Sequence, residues 1–118
     1  MKFLALIYSD ESAWDSLGDA DRSSMIEQYM AFSREAEAAG VVLGGAELAP
    51  TRSATTVRVR EGQTAVTDGP YAEAKEALGG YFILDCESLD EALSWAARIP
   101  GASHGAVEVR QVHVDEEA

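Results

Sequence analysis

Two segments of helical period, each enclosed by strand-like runs, restrict this chain to a small set of folds. The first has Asp19 as a candidate N-cap, carries Met25, Tyr29, Phe32, Ala36 and Ala39 at helical spacing, and keeps Glu27, Arg34 and Glu37 off that stripe. Gly40 stands where a helix hands over to a left-handed residue. Before it runs "KFLALIY" (2–8), apolar throughout and read as a central strand, then "ESAWDSL", read as one helical turn closed by Gly18. After it comes "VVLGGAEL" (41–48), a strand whose Gly44-Gly45 pair marks a bulge or a close backbone approach. The second helix opens at Ser88, with Glu91 completing a capping box, and runs to about Arg98 with Leu89, Leu93 and Ala96 facing inward. It lies between "GYFILDC" (80–86), a buried strand, and the alternating "GAVEVRQVHV".

Between the two units, "ATTVRVR" and "QTAVT" alternate with period two around Glu61-Gly62, which predicts a hairpin with Val57 opposite Val66. The order is therefore strand, helix, strand, hairpin, strand, helix, strand. In a chain of 118 residues this is too short for a doubly wound sheet and predicts one domain spanning 1–118. The expected class is α+β: a ferredoxin-like βαββαβ sheet with an extra β-hairpin and both helices on one face. The other face is then bare. Leu4, Leu6, Ile83 and Val109 are expected on it, and a second copy packed sheet to sheet is the expected cover, so the chain is read as a homodimer.

Composition narrows the function classes. Hydrophobic residues at 47% and charged residues at 25% fit a globular protein rather than a disordered one. Twenty-one acidic against nine basic residues give a net charge of −12, which opposes direct binding to nucleic acid or to anionic lipid. No window approaches the roughly 20 apolar residues of a membrane span, and the N-terminus lacks the layout of a signal peptide. Cys86 is the only cysteine, so no intrachain disulfide forms and a cytoplasmic location is expected. It follows an apolar run and is read as a buried thiol.

The stretch "VTDGPYAEAKEALGG" (66–80) sets the strongest turn signal beside ionisable groups and an aromatic ring. A turn alone explains Asp68-Gly69-Pro70: the carboxylate accepts backbone N–H groups, glycine permits positive φ, and proline fixes φ at the start of "YAEAKEAL", read as a helical run. The other reading makes Asp68 a cleft carboxylate that binds a cation or polar ligand, or acts as a base. Glu73, Lys75 and Glu76 read as solvated surface. Gly79-Gly80 opens a strand and lacks the strand-to-helix context of a phosphate loop.

"ATTVRVREGQTAVTDGPYAEAKEALGGYFILDCESLDEALSWAARIP", followed by "GAVEVR", resembles the YCII-related proteins, and in particular the branch named for its Asp-Gly-Pro-Phe motif. The resemblance spans nearly the whole chain, with Tyr71 standing where that motif has Phe. It implies a dimeric α/β-barrel of ferredoxin-like protomers. It also implies a regulatory setting, because members of this branch often accompany extracytoplasmic-function sigma factors. Relatives carry a His–Asp pair in a cleft, with the histidine on the first helix. Here Tyr29 takes that stripe position and no histidine precedes residue 104, which removes the obvious general base.

His104 and His113 are the only histidines, and neither shows metal-ligand spacing with Cys86 or a nearby carboxylate, so no metal or cofactor is expected. His113 reads as surface. His104, in "GASHG", resembles a residue common in the family's C-terminal loop and is a candidate general base. Tyr8 ends one strand and Tyr81 begins another, so both are expected to line a cleft beside Tyr29. Arg52 and Arg110 are the handles for an anionic ligand. Two functions remain. One is a small-molecule-binding or regulatory dimer with Tyr8, Tyr29, Asp68 and Tyr81 around the ligand. The other is an enzyme using Asp68 with Tyr29 or His104 for acid–base chemistry on a small cyclic or carboxylated substrate.

Overall fold

The computed structural model describes residues 1–114, and the acidic "DEEA" tail lies outside them. Strand β1 (Lys2–Ser9) is followed by a short helix α1 (Glu11–Asp15) and the long helix α2 (Asp19–Ala38). Strand β2 (Val42–Glu47), a 3-10 turn at Thr51–Ser53, the hairpin β3 (Thr55–Arg60) and β4 (Gln63–Asp68), and strand β5 (Ala77–Asp85) come next. Helix α3 (Leu89–Ala96), a single turn α4 (Gly101–His104) and strand β6 (Ala106–Gln111) complete the chain.

Four strands pair antiparallel in the order β2-β5-β1-β6, while β3 and β4 form a separate two-stranded sheet. The four-stranded order, with α2 and α3 over one face, is the ferredoxin-like arrangement that the element order implies. Overall extents of 50 × 47 × 17 Å describe a slab one sheet and one helix layer thick, not a sandwich.

The local rules that set these elements are visible at their ends. Ala39 caps α2 and Gly40 follows at φ 71°, the left-handed exit that favours glycine. At the start of α3 the Ser88 hydroxyl accepts the Glu91 N–H, and the Glu91 carboxylate accepts the Glu87 N–H at 2.9 Å. Glu61 and Gly62 turn the hairpin with φ of 53° and 75°, so Val57 pairs with Val66 as the alternation predicts. The register of β2 slips between Val42 and Gly44, the bulge expected from the glycine pair.

The core lies between the sheet and the helices. Phe3, Ala5 and Ile7 of β1 and Leu84 of β5 meet Phe32 and Ala36 of α2, and Ala92 and Ala96 of α3. Phe32 stacks at a tilt on Phe82, with ring centroids 5.2 Å apart, and edge-on to Trp95 at 6.3 Å. Arg98 lies 4.2 Å over the Trp95 ring and pairs with Glu35, tying α3 to α2 across the surface. Cys86 is buried in this core, as expected.

Three expectations need correction. Leu89 and Leu93 are half exposed, and the inward face of α3 is Ala92, Trp95 and Ala96, whose small residues let the helix approach the sheet. Residues 71–76 form no helix, and β5 begins at Ala77 rather than Gly80. Val109 pairs with Ala5 and packs on the core, so it faces the helices. The bare face instead carries Leu4, Leu6, Tyr8, Tyr81 and Ile83, with Glu108 and Arg110 opposite Leu6 and Leu4.

Candidate ligand-binding cleft

The end of the sheet where β1 finishes is where polar side chains collect. Asp10 leaves β1 and caps α1: its carboxylate accepts the Ser12 N–H at 3.0 Å and the Ser12 hydroxyl at 2.6 Å. The hydroxyl first, then the amide, with Lys75 adding a smaller charge effect, hold its carboxyl below the usual aspartate range. Glu11, one residue on, reaches 40 positions along the chain. It accepts the Thr51 N–H and the Thr51 hydroxyl, both at 2.9 Å, and so pins the 3-10 turn to the exit of β1. The Leu48 amide donates to the Gly79 carbonyl at 2.9 Å and closes the gap between β2 and β5 at the same end.

Tyr29 approaches this end from α2, on the same stripe as Phe32 and Ala36. Its ring and hydroxyl fit against Gly101 so closely that a Cβ there would lie 2.6 Å from the hydroxyl and 2.8 Å from Ile7 Cγ2. Burial raises the hydroxyl's pKa above that of an ordinary tyrosine. The Gly101 amide pulls it down by less, and the nearby negative charge of Glu47 adds to the rise. At neutral pH Tyr29 is therefore a neutral phenol, able to donate a hydrogen bond to an oxygen but not placed to take a proton.

The Asp68-Gly69-Pro70 turn is held by its backbone. The Gly69 amide donates to the Ala54 carbonyl at 2.8 Å, and the Thr56 hydroxyl donates to the Gly69 carbonyl at 2.8 Å. Gly69 sits at φ 104°, a conformation that excludes side chains in practice. Asp68 itself ends β4 opposite Thr55, is exposed, and accepts no hydrogen bond among the described residues, which corrects the expectation that its carboxylate caps the turn. Thr51, Arg52, Gly69, Pro70, Glu73 and Ala77 line an open cavity of about 250 Å³ beside the turn. That is smaller than the usual drug-sized pocket of roughly 300–1,000 Å³.

The remaining candidates scatter. Tyr8 and Tyr81 lie on the bare sheet face, paired opposite Ala106 and Leu6, whereas Tyr29 lies on the helix-covered side. The sheet itself therefore separates the three tyrosines expected to share a cleft. His104 is exposed at the end of α4, and no hydrogen bond joins it to Asp68 among the described residues. The next residue, Gly105, abuts β1 so closely that a Cβ would collide with the Tyr8 carbonyl. His113 is exposed just beyond β6. Tyr71 is exposed, with the Arg58 guanidinium 4.8 Å over its ring. Arg52 lines the cavity, and Arg110 lies on the bare face 3.8 Å from Glu108. Among the described residues no group of three or more His, Cys, Asp or Glu is placed to hold a metal ion, and no polar or charged side chain is fully buried. No helix of the described residues is long and apolar enough to cross a membrane.

Two positions that organise this end were missed in the sequence. The Asp-x-Ser spacing of Asp10 and Ser12 is a legible cap signal. The partnership of Glu11 with Thr51 has no local signature, because only the fold brings them together.

Comparison with known proteins settles the family: the YCII-related domain matches residues 1–114. The chain is a YCII-related protein. An uncharacterized protein of Rhizobium meliloti is 39% identical to this YCII-related chain over 112 residues, covering 93% of the chain and 90% of that relative. Among solved structures, the 5-chloro-2-hydroxyhydroquinone dehydrochlorinase of Burkholderia phenoliruptrix, in complex with 2,5-dihydroxybenzoquinone, superposes with a TM-score of 0.56. The alignment covers 99% of the YCII-related chain and 98% of the enzyme at 17% identity, a likeness of fold.

Proposed function

We propose that this YCII-related protein is a homodimer that binds a small cyclic, oxygen-bearing molecule at the β1 end of the sheet without transforming it. The observation behind this reading is the state of Tyr29. It is a half-buried neutral hydroxyl on the helix stripe to which the family resemblance assigns a histidine, so the site offers a hydrogen-bond donor in place of a base. Asp68 and His104 are both exposed and share no hydrogen bond, so neither supplies the missing half of an acid–base pair. Within the family we assign the chain to the Asp-Gly-Pro-Phe branch, on Asp68-Gly69-Pro70 followed by Tyr71. A cytoplasmic, regulatory setting beside an extracytoplasmic-function sigma factor belongs to the same reading.

Native mass spectrometry of the purified protein is the direct test, with a retained small molecule as the expected result. Titration calorimetry with 2,5-dihydroxybenzoquinone as probe follows, on wild type and Tyr29→Phe. Loss of one neutral hydrogen bond of about 1 kcal/mol should weaken binding roughly fivefold. Equal binding by both proteins, or none by wild type, would count against the Tyr29 site.

A second reading, an enzyme using Asp68 with Tyr29 or His104, is favoured by the dehydrochlorinase fold likeness. Turnover of a chlorinated hydroxyhydroquinone by wild type, abolished equally in Asp68→Asn and Asp68→Ala, would establish it in place of the first.

A further inference from the structure

The open cavity of about 250 Å³ beside the Asp68-Gly69-Pro70 turn has walls of two kinds. One is anchored. Thr51 gives both its amide and its hydroxyl to Glu11, and Gly69 is held by Ala54 and Thr56. The other is the strap 71–76, which brings Ala72, Glu73 and Ala74 to the cavity and belongs to no helix or strand. Side chains tether the strap at two points. The Arg58 guanidinium lies 4.8 Å over the Tyr71 ring, and Lys75 lies close enough to Asp10 to act on its carboxyl.

Arg52 stands on the anchored wall and Glu73 on the strap, and they are the charged side chains that line this cavity. Neither joins an ion pair among the described residues, with the other or with a third group. Both are exposed, so water satisfies each of them singly. The cavity therefore sets opposite charges on different walls of one small hollow without letting them meet. An anion alone would gain Arg52 and face Glu73, and a cation alone would meet the reverse. A ligand carrying both signs answers both at once. The guanidinium fork suits a carboxylate, and the Glu73 carboxylate suits an ammonium group. The volume falls below the roughly 300–1,000 Å³ of drug-sized pockets, so the ligand is small.

We infer that this cavity binds a small zwitterion of the amino-acid class, with its carboxylate on Arg52 and its ammonium on Glu73. Tyr29 is not a wall of the cavity, so the site stands apart from the ring-binding site proposed above. Pro70, Ala72, Ala74 and Ala77 supply apolar surface suited to a short methylene chain between the charged ends. The Asp68-Gly69-Pro70 turn serves the site through its backbone, which fixes where the strap begins, while the Asp68 carboxylate stays outside the walls.

The test is a heteronuclear NMR titration of the full chain with glycine, β-alanine and γ-aminobutyrate, beside butyrate and butylamine as single-charge halves. At least one zwitterion should shift the amide resonances of residues 51–52 and 71–77. Its dissociation constant should lie about fivefold or more below that of either half. Arg52→Gln and Glu73→Gln should each remove that advantage with the rest of the spectrum in place, because both side chains are exposed. Glu61→Gln, at the hairpin turn, removes the same charge away from the cavity and should keep the advantage. Zwitterions that bind no better than the halves, that bind equally well after either cavity substitution, or that weaken as much in Glu61→Gln as in Glu73→Gln would overturn the inference. So would the absence of any shift through the millimolar range.

Discussion

Tyr29, Asp68 and Cys86 carry expectations that can be tested one side chain at a time. Tyr29 has a raised folded pKa, so a spectrophotometric titration should show a component ionising above the ordinary tyrosine value, and Tyr29→Phe should delete that late component. Because the folded pKa lies above the unfolded one, the folded state holds the proton longer. The associated stability is intact below the ordinary tyrosine pKa of about 10 and is lost as pH rises from there through the folded value. Denaturant midpoints should therefore fall more steeply at alkaline pH in wild type than in Tyr29→Phe. Asp68 accepts no hydrogen bond among the described residues, so Asp68→Asn and Asp68→Ala should both stay within about 0.5 kcal/mol of wild type in urea. Gly69→Ala, which forces a side chain to φ 104°, should cost more, roughly 1–2 kcal/mol. Cys86 is buried, and burial first, then the charges of Glu91 and Asp85, raise its thiol pKa. Labelling by a thiol reagent should be much slower in the folded protein than in urea.

At the scale of elements, the sequence made legible what local chemistry decides and concealed what packing decides. The Ser88–Glu91 cap, the Gly40 exit, the Glu61-Gly62 turn and the β2 bulge each depend on residues within a few positions, and each was readable. Which side of α3 faces inward was not. Leu89 and Leu93 are the more hydrophobic stripe, but close approach to the sheet favours Ala92 and Ala96, with Trp95 reaching Phe32. The facing of Val109 was lost for a related reason. Side chains alternate along a strand, so the pairing of Val109 with Ala5, known only from the sheet, decides its face. The 71–76 segment has helix-forming composition, but it is shorter than the 12 or so residues an isolated helix needs and buries no stripe. At this end of the sheet the core-facing placement of Tyr29 on α2 and the turn at Asp68-Gly69-Pro70 were legible, whereas Glu11 with Thr51 joins segments 40 residues apart. One element junction offers its own test. Gly105→Ala sets a Cβ against the Tyr8 carbonyl where α4 meets β1, and should lower the thermal midpoint by about 5 °C or more.

At the scale of the molecule, the slab is 17 Å thick with one apolar face uncovered, and the proposed homodimer predicts that static light scattering will return twice the chain mass at micromolar concentration. The sheet order has a second outcome, in time rather than space. Strand β1 occupies a central place between β5 and β6, and the Cys86 and Val112 amides donate to the carbonyls of Met1 and Lys2. A ribosome delivers β1 first and its two neighbours only after residues 77–85 and 106–111. Until residues 77–85 emerge, then, "KFLALIY" is an apolar strand with two unpaired edges, and its second edge stays open until residues 106–111 follow.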